Sequence, residues 1–259
     1  QAEGEAPPGG VQVRLLRDWL ESNSRKSGSR IILAADVGGP FETRLERAAS
    51  LISAVRESVV AVKINWHLLL PFGVLGIRGL VEKCGDAGLP VIADMKLNDI
   101  GATNVEAAET LFSNGFDALI ANPFVGYKEG MEDLLAKSRE MHKGVIMLVY
   151  MSHAGARDGY GLDVGGHPLY VSFAKRTREW GADGAVVSSK SPSIIREVRS
   201  ILKEEQVILS PGVGFQGGDA RKALASGSDY IIVGRSIIDS KDPERSADVL
   251  NRKVKAKGA

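Results

Sequence analysis

The sequence predicts one α/β domain, a (β/α)8 TIM barrel with an extra N-terminal helix. Three observations predict it. Eight short apolar runs recur along the chain, and stretches of helical periodicity separate them. The 259 residues also match a single barrel, which typically runs to about 250. A doubly wound open sheet uses the same alternation and is the competing arrangement. The complete count of eight favours the closed form.

The elements follow in order. Residues 1–10 (Gln1-Ala2-Glu3-Gly4-Glu5-Ala6-Pro7-Pro8-Gly9-Gly10) are polar and rich in Gly and Pro, which predicts a disordered tail. They lack the basic and apolar regions of a signal peptide. Gln1 in place of a Met points to processing or a trimmed start. The barrel domain then covers 11–259, opening with a helix over Val11 to Ser22. The predicted strands are Ile31 to Asp36, Val59 to Lys63, Val91 to Lys96 and Asp117 to Ala121. Gly144 to Tyr150, Asp183 to Ser188, Val207 to Ser210 and Tyr230 to Gly234 complete the set. All are rich in Val, Ile, Leu and Ala, as strands buried on both faces require. Phe41 to Ser58 illustrates the helical stretches: Leu45, Ala48, Ala49, Ile52 and Val55 recur at threes and fours. Gly115, Gly181 and Gly227 stand where helix C-caps belong. The longest irregular stretch, Met151 to Gly166, carries five glycines. It reads equally as an active-site loop or as a surface insertion.

Composition excludes several function classes. Thirty-three Lys and Arg against 32 Asp and Glu leave a net charge of +1, so no broad surface attracts a nucleic acid. Cys84 is the single cysteine, which rules out an intramolecular disulfide and fits a reducing cytoplasm. The four histidines show no HxxxH spacing, which disfavours a His/Cys metal site. The most apolar stretch, Leu68 to Ile77, is too short to span a bilayer.

Barrel sites lie at the carboxyl ends of the strands, so the polar residues there are the candidates. They are Asp36 on the first strand, Lys63 on the second, Asp94 and Lys96 on the third, and Asn122 after the fourth. Alternate residues share a face, so Asp94 and Lys96 point the same way, and Lys63 stands beside Asp94. Small residues, Ala34 and Ala61, lie two positions below Asp36 and Lys63, as a convergent barrel interior needs. A lone charge would be read as a solvated rim. Four charges on three consecutive strands are read as a site. Asp99 follows in the loop. After the seventh strand comes Ser210-Pro211-Gly212-Val213-Gly214-Phe215-Gln216-Gly217-Gly218, and after the eighth Gly234-Arg235-Ser236 opens the last helix. Glycine backbone and an arginine suit an anion, and phosphate sites recur there in this fold. The plainer reading is that these glycines only shape turns.

Taken together, these motifs resemble the orotidine 5′-phosphate decarboxylase family in its compact microbial, archaeal-type form. The resemblance runs from about Ile31 to Ile238. Its most specific part is Asp94-x-Lys96-x-x-Asp99-Ile100 followed by Thr103-Asn104. Supporting matches are Asp36, Val62-Lys63-Ile64, Met151-Ser152-His153-x-Gly155, the loop 210–218 and Ile232 to Ser236. Gly101 stands where the family often has proline.

The resemblance implies a carboxy-lyase that converts orotidine 5′-phosphate to UMP and CO2, in the cytoplasm, as the last step of UMP biosynthesis. It implies no cofactor and no metal. Lys63, Asp94 and Lys96 would form a charge array that Asp99 completes from the second subunit of a homodimer. Thr103 would cross the same interface. Asp36 and Lys63 would hold the ribose, Ser152 would read the pyrimidine, and Pro211 would contact the substrate. Gln216 would bridge ring and phosphate, under a loop that closes over the nucleotide. Gly234 and Arg235 would hold the phosphate. Two rival readings are a Mg2+-dependent barrel such as 3-keto-L-gulonate 6-phosphate decarboxylase, and a nucleotide-sensing barrel without catalysis.

Overall fold

The structure is a computed structural model that describes residues 16–214 and 216–255, with backbone only for Lys255. The tail expected at 1–10, and residues 11–15 of the expected first helix, lie outside the described residues. Eight parallel strands close into a barrel in chain order, β8 returning to β1. They are β1 (Ile31–Ala34), β2 (Ala61–Asn65), β3 (Val91–Leu97), β4 (Ala118–Ala121), β5 (Gly144–Tyr150), β6 (Gly184–Val187), β7 (Val207–Pro211) and β8 (Tyr230–Val233). The closed form, not the open sheet, is the arrangement adopted.

The helices before β5 are α1 (Leu16–Ser27), α2 (Phe41–Val55), α3 (Trp66–Gly76), α4 (Arg78–Asp86), α5 (Gly101–Ser113) and α6 (Glu132–Glu140). Those after it are α7 (Ala156–Gly159), α8 (Leu169–Trp180), α9 (Pro192–Ile201), α10 (Ala220–Ala225), α11 (Arg235–Ile238) and α12 (Pro243–Lys255). Gly115, Gly181 and Gly227 follow α5, α8 and α10 with φ of 93°, 70° and 106°, as the C-cap reading required. The irregular stretch after β5 is not wholly loop, since α7 forms within it.

Strand parity sorts the core. Ile32, Ala61, Ile92, Ala118, Ile146, Leu209 and Ile232 fill the barrel interior, while most of their sequence neighbours pack outward against the helices. Leu16 and Leu20 of α1 belong to the interior set, so α1 closes the amino end of the barrel. Burying each leucine contributes roughly 1.5–3 kcal/mol. The helix runs five residues past the expected Ser22, because tertiary partners hold its last turn. Asn23 donates to Val60 O at 3.0 Å and to Gly88 O at 2.9 Å. Gly28, at φ 62°, then ends the helix.

Asp117 and Asp183, expected to open strands, do a different job, and Asp229 joins them. Asp117, Asp183 and Asp229 precede β4, β6 and β8. Their carboxylates accept from the amides of Val91, Val145 and Ile208 at 2.9, 2.7 and 2.7 Å. Each ties the start of one strand to the strand before it, at the amino face of the barrel, opposite the end where barrel sites lie. Burial pushes the Asp183 and Asp229 carboxyls up, against the bonds that favour their charge.

Gly184 shows how tightly this end is closed. A Cβ there would lie 2.2 Å from the Val207 carbonyl oxygen. Gly184→Ala is therefore expected to destabilise the fold by about 3 kcal/mol, read as a lower midpoint in urea unfolding.

Candidate active site

The carboxyl end of the barrel brings four charges into one row. The registers pair Ala34 with Lys63 and Asn65 with Asp94, which steps the charged side chains around the rim. Lys63 Nζ lies 3.2 Å from Asp36 Oδ1 and 2.9 Å from Asp94 Oδ2. Lys96 Nζ lies 2.6 Å from Asp94 Oδ1. The signs alternate along Asp36, Lys63, Asp94 and Lys96, and each Asp94 oxygen has its own ammonium. The side chains of Lys63 and Asp94 are only 5% and 10% exposed, whereas Lys96 and Asp36 retain 32% and 29%. The inner two charges are therefore held by partners rather than by water.

Burial opposes both inner charges, and their neighbours overcome it. Desolvation lowers Lys63, but Asp94 and then Asp36 raise it above the ordinary lysine value. Desolvation raises Asp94, but Lys63 and then Lys96 bring its carboxyl below the ordinary range. The stability from Asp94 is thus full above about pH 4 and is lost as pH falls through its lowered value. That from Lys63 is full below about pH 10 and is lost as pH rises through its raised value.

Lys96 reaches the row by a route that simple alternation does not contain. The pairing of β3 with β4 slips between Ala93 and Leu97, and Lys96 has φ 52°. A left-handed lysine costs on the order of 1 kcal/mol, and such outliers cluster at functional sites.

A cavity of about 440 Å³ opens over the row. Ile120, Leu148, Val186 and Ile232 give it an apolar floor. Of the expected residues, Asp36, Lys63, Asp94, Lys96, Ser152, Pro211, Gln216, Gly234 and Arg235 all line it. Asp99 and Thr103 do not. Asp99 is exposed, and its Oδ1 accepts from the Ile100 amide at 2.7 Å. Asn104 clamps the Asp99 backbone from both sides, donating to its carbonyl at 2.5 Å and accepting from its N–H at 3.2 Å. Thr103 lies on α5, in an open groove with Val74, Met95, Ala107 and Leu111.

Two readings need correction. Asn122 does not line the cavity; its Oδ1 accepts from the Phe124 amide at 3.1 Å and caps a short turn. Arg235 opens the single turn α11, and the last helix is α12. Asn65 and His67 line the cavity and were missed. Asn65 Oδ1 accepts from the His67 amide at 2.9 Å and lies 2.7 Å from His67 Nδ1, capping α3. The missed signal was parity: Asn65 is two residues beyond Lys63, and Asn is a preferred N-cap.

The glycine loop after β7 folds back on itself. Gly214 N–H donates to Gly218 O, and Gly218 N–H to Gly212 O, both at 3.0 Å. Gly212, Gly214 and Gly217 all have positive φ, so the glycines do shape tight turns. Beneath them the Ser189 hydroxyl is buried without a hydrogen-bond partner. A Cβ on Gly218 would lie 2.1 Å from that oxygen, so only glycine fits. Among the described residues no group of three or more His, Cys, Asp and Glu is arranged to hold a metal ion.

Comparison with known proteins bears on this geometry. A profile of the family described as "Orotidine 5'-phosphate decarboxylase / HUMPS family" matches residues 29–249. An orotidine 5′-phosphate decarboxylase of Methanosarcina acetivorans is 35% identical over 226 residues, which is 87% of this chain and 95% of that one. The crystal structure of the Pyrococcus horikoshii decarboxylase superposes with TM-score 0.73 at 34% identity, over 87% of this chain and 99% of that one. That of the Methanocaldococcus jannaschii decarboxylase, complexed with the inhibitor BMP, gives TM-score 0.75 at 28% identity, over 87% and 98%. The chain belongs to the orotidine 5′-phosphate decarboxylase / HUMPS family.

Removing the central ammonium should expose the electrostatic logic. Lys63→Met leaves Asp36 and one Asp94 oxygen without their cation, and breaking a buried pair costs about 3–5 kcal/mol. The Asp94 carboxyl then rises, so the acid-unfolding midpoint followed by circular dichroism is expected at higher pH than in the parent.

Proposed function

We propose that the chain removes CO2 from C6 of orotidine 5′-phosphate to give UMP. The observation that carries this is the alternating row Asp36, Lys63, Asp94 and Lys96 lining one cavity with the glycine loop and Arg235. The C6–carboxylate bond breaks and leaves an electron pair in the ring plane, where the π system cannot take it up. Fixed charges are suited to that task. Lys96 stabilises the pair and donates the proton to C6, then regains one from solvent. Asp94 lies near the substrate carboxylate, an unfavourable neighbour that is relieved as CO2 departs. Lys63 holds Asp94 in place, and with Asp36 it binds the ribose.

The distal half of the cavity binds rather than reacts. Ser152 reads the pyrimidine, Pro211 packs against the nucleotide, and Gln216 bridges ring and phosphate. The Gly234 backbone and Arg235 take the phosphate, and the loop around Gln216 closes over the nucleotide. The reaction needs no cofactor, and the Lys63 ammonium opposes a divalent cation at the row. Activity after exhaustive EDTA treatment separates this reading from a Mg2+-dependent one.

Asp99 and Thr103 belong in this reading to the neighbouring site of a homodimer. Supporting it, Asp99 is exposed on a clamped backbone, and Ile100, Leu70 and Leu75 expose 62, 74 and 77% of their surfaces. We place the enzyme in the cytoplasm, where the buried Cys84 thiol, pushed up to about 12 by burial, stays unreactive. No described helix is long and apolar enough to cross a membrane.

The direct test follows the loss of orotidine 5′-phosphate absorbance with metal-free protein. Two unit charges ~4 Å apart interact by about 4 kcal/mol at an effective dielectric of ~20, so Lys96→Ala should slow turnover at least ~10³-fold. Undiminished UMP formation by the folded variant refutes the proposal. Arg235→Ala should raise KM about 10–100-fold with a smaller change in kcat, the cost of lost charged hydrogen bonds. Mixing Lys96→Ala and Asp99→Ala subunits under exchange should restore about a quarter of parental activity, since half the dimers carry one intact site. No recovery despite proven exchange rejects the shared site.

A further inference from the structure

A second cavity, of about 450 Å³, lies behind the glycine loop. It shares a wall with the first: Val213 lines both, and the adjacent residues Arg235 and Ser236 face one cavity each. Its other wall is one face of α12, where Arg245, Ser246, Val249, Leu250 and Lys253 recur at helical spacing.

Three cations converge on it. Lys241 comes from the turn after α11, while Arg245 and Lys253 come from α12, eight residues and hence about 12 Å apart. Among the described residues none of the three side chains has an ion-pair partner. Among the described residues the one acid in the lining, Asp242, is already engaged: its Oδ1 accepts from the Arg245 amide at 3.0 Å and caps the helix. The lining therefore carries an excess of two positive charges, in a protein whose net charge is only +1. Between the cations the surface is apolar, with Val249 42% exposed beside Leu250 and Ile237. Hydroxyls of Ser240 and Ser246 complete the rim.

We propose that this groove is a second anion site, taking a small phosphate-bearing molecule whose charge meets Lys241 and Arg245 and whose less polar body covers Val249. Phosphate oxygens match the paired donors of Arg245, and a concave wall lined by one sign of charge focuses the field on an anion. The assignment does not rest on the reaction proposed above, because it uses none of that cavity's charged residues.

The test is a titration of methyl-labelled full-length protein with inorganic pyrophosphate, read by NMR at constant ionic strength. Val249 and Leu250 report the outer groove; Leu148 and Val186 report the inner cavity. Saturable shifts at Val249 and Leu250 are expected, with an affinity at least tenfold weaker in the Lys241→Ala/Arg245→Ala/Lys253→Ala variant. Leu148 and Val186 should respond alike in both proteins, which also confirms that the variant is folded. Flat or non-saturating shifts at Val249 and Leu250 overturn the site. So does an unchanged isotherm in the triple variant, or an equal response to added sodium chloride.

Discussion

The site depends on one constraint: a carboxylate that is nearly out of water, with an ammonium on each oxygen. Asp94 cannot keep its charge at this depth without Lys63 and Lys96, and Lys63 cannot keep its own without Asp94 and Asp36. Each ion is the condition for the next. The row is therefore set before any ligand arrives, and a charge developing in the cavity meets dipoles that need no reorganisation. The cost, and the strain of the left-handed backbone at Lys96, are borne elsewhere, by the packing of the closed eight-stranded barrel.

The two ends of the barrel put carboxylates to different uses, although Lys143 and Arg199 also pair with Asp117 and Asp229 at the amino end. At the amino end Asp117, Asp183 and Asp229 bond backbone amides of neighbouring strands and hold the cylinder together. Leu16 and Leu20 seal that end. At the carboxyl end Asp36 and Asp94 face ammonium groups over an open cavity. Stability and chemistry are thus separated along the barrel axis, as parallel strands of one polarity allow. The glycine loop sits between the first cavity and the outer groove, and Val213 is common to both walls.

Much of the candidate site was legible because strand parity is a local property. Asp36, Lys63 and Asp94 follow from alternation on short apolar runs, and small residues beneath them mark the inward face. Parity carried further would also have reached Asn65. His67 was harder to see, since it enters the cavity from the first turn of α3 and is held by Asn65. Asn122 looked equivalent to the other polar residues at strand ends, but it spends its oxygen on a local turn. Nothing in the spacing distinguishes a cap from a cavity residue until the backbone is in place. The outer groove was illegible for a stronger reason: its walls come from residues 213–214, 236–242 and 245–253, joined only by packing.

By itself the sequence determined the element order, the alternating α/β class whose eight strands favour a barrel, and the identity of the charged row, because these rest on periods of two and 3.6 residues. It also carried the family resemblance that the comparisons bear out. Tertiary structure alone decided three things. It closed the sheet rather than leaving it open, it slipped the register at β3 so that Lys96 turns into the cavity, and it put Asp99 and Thr103 outside the cavity of their own chain. Each depends on contacts between strands or helices distant in sequence, and local propensity holds no information about how those surfaces meet.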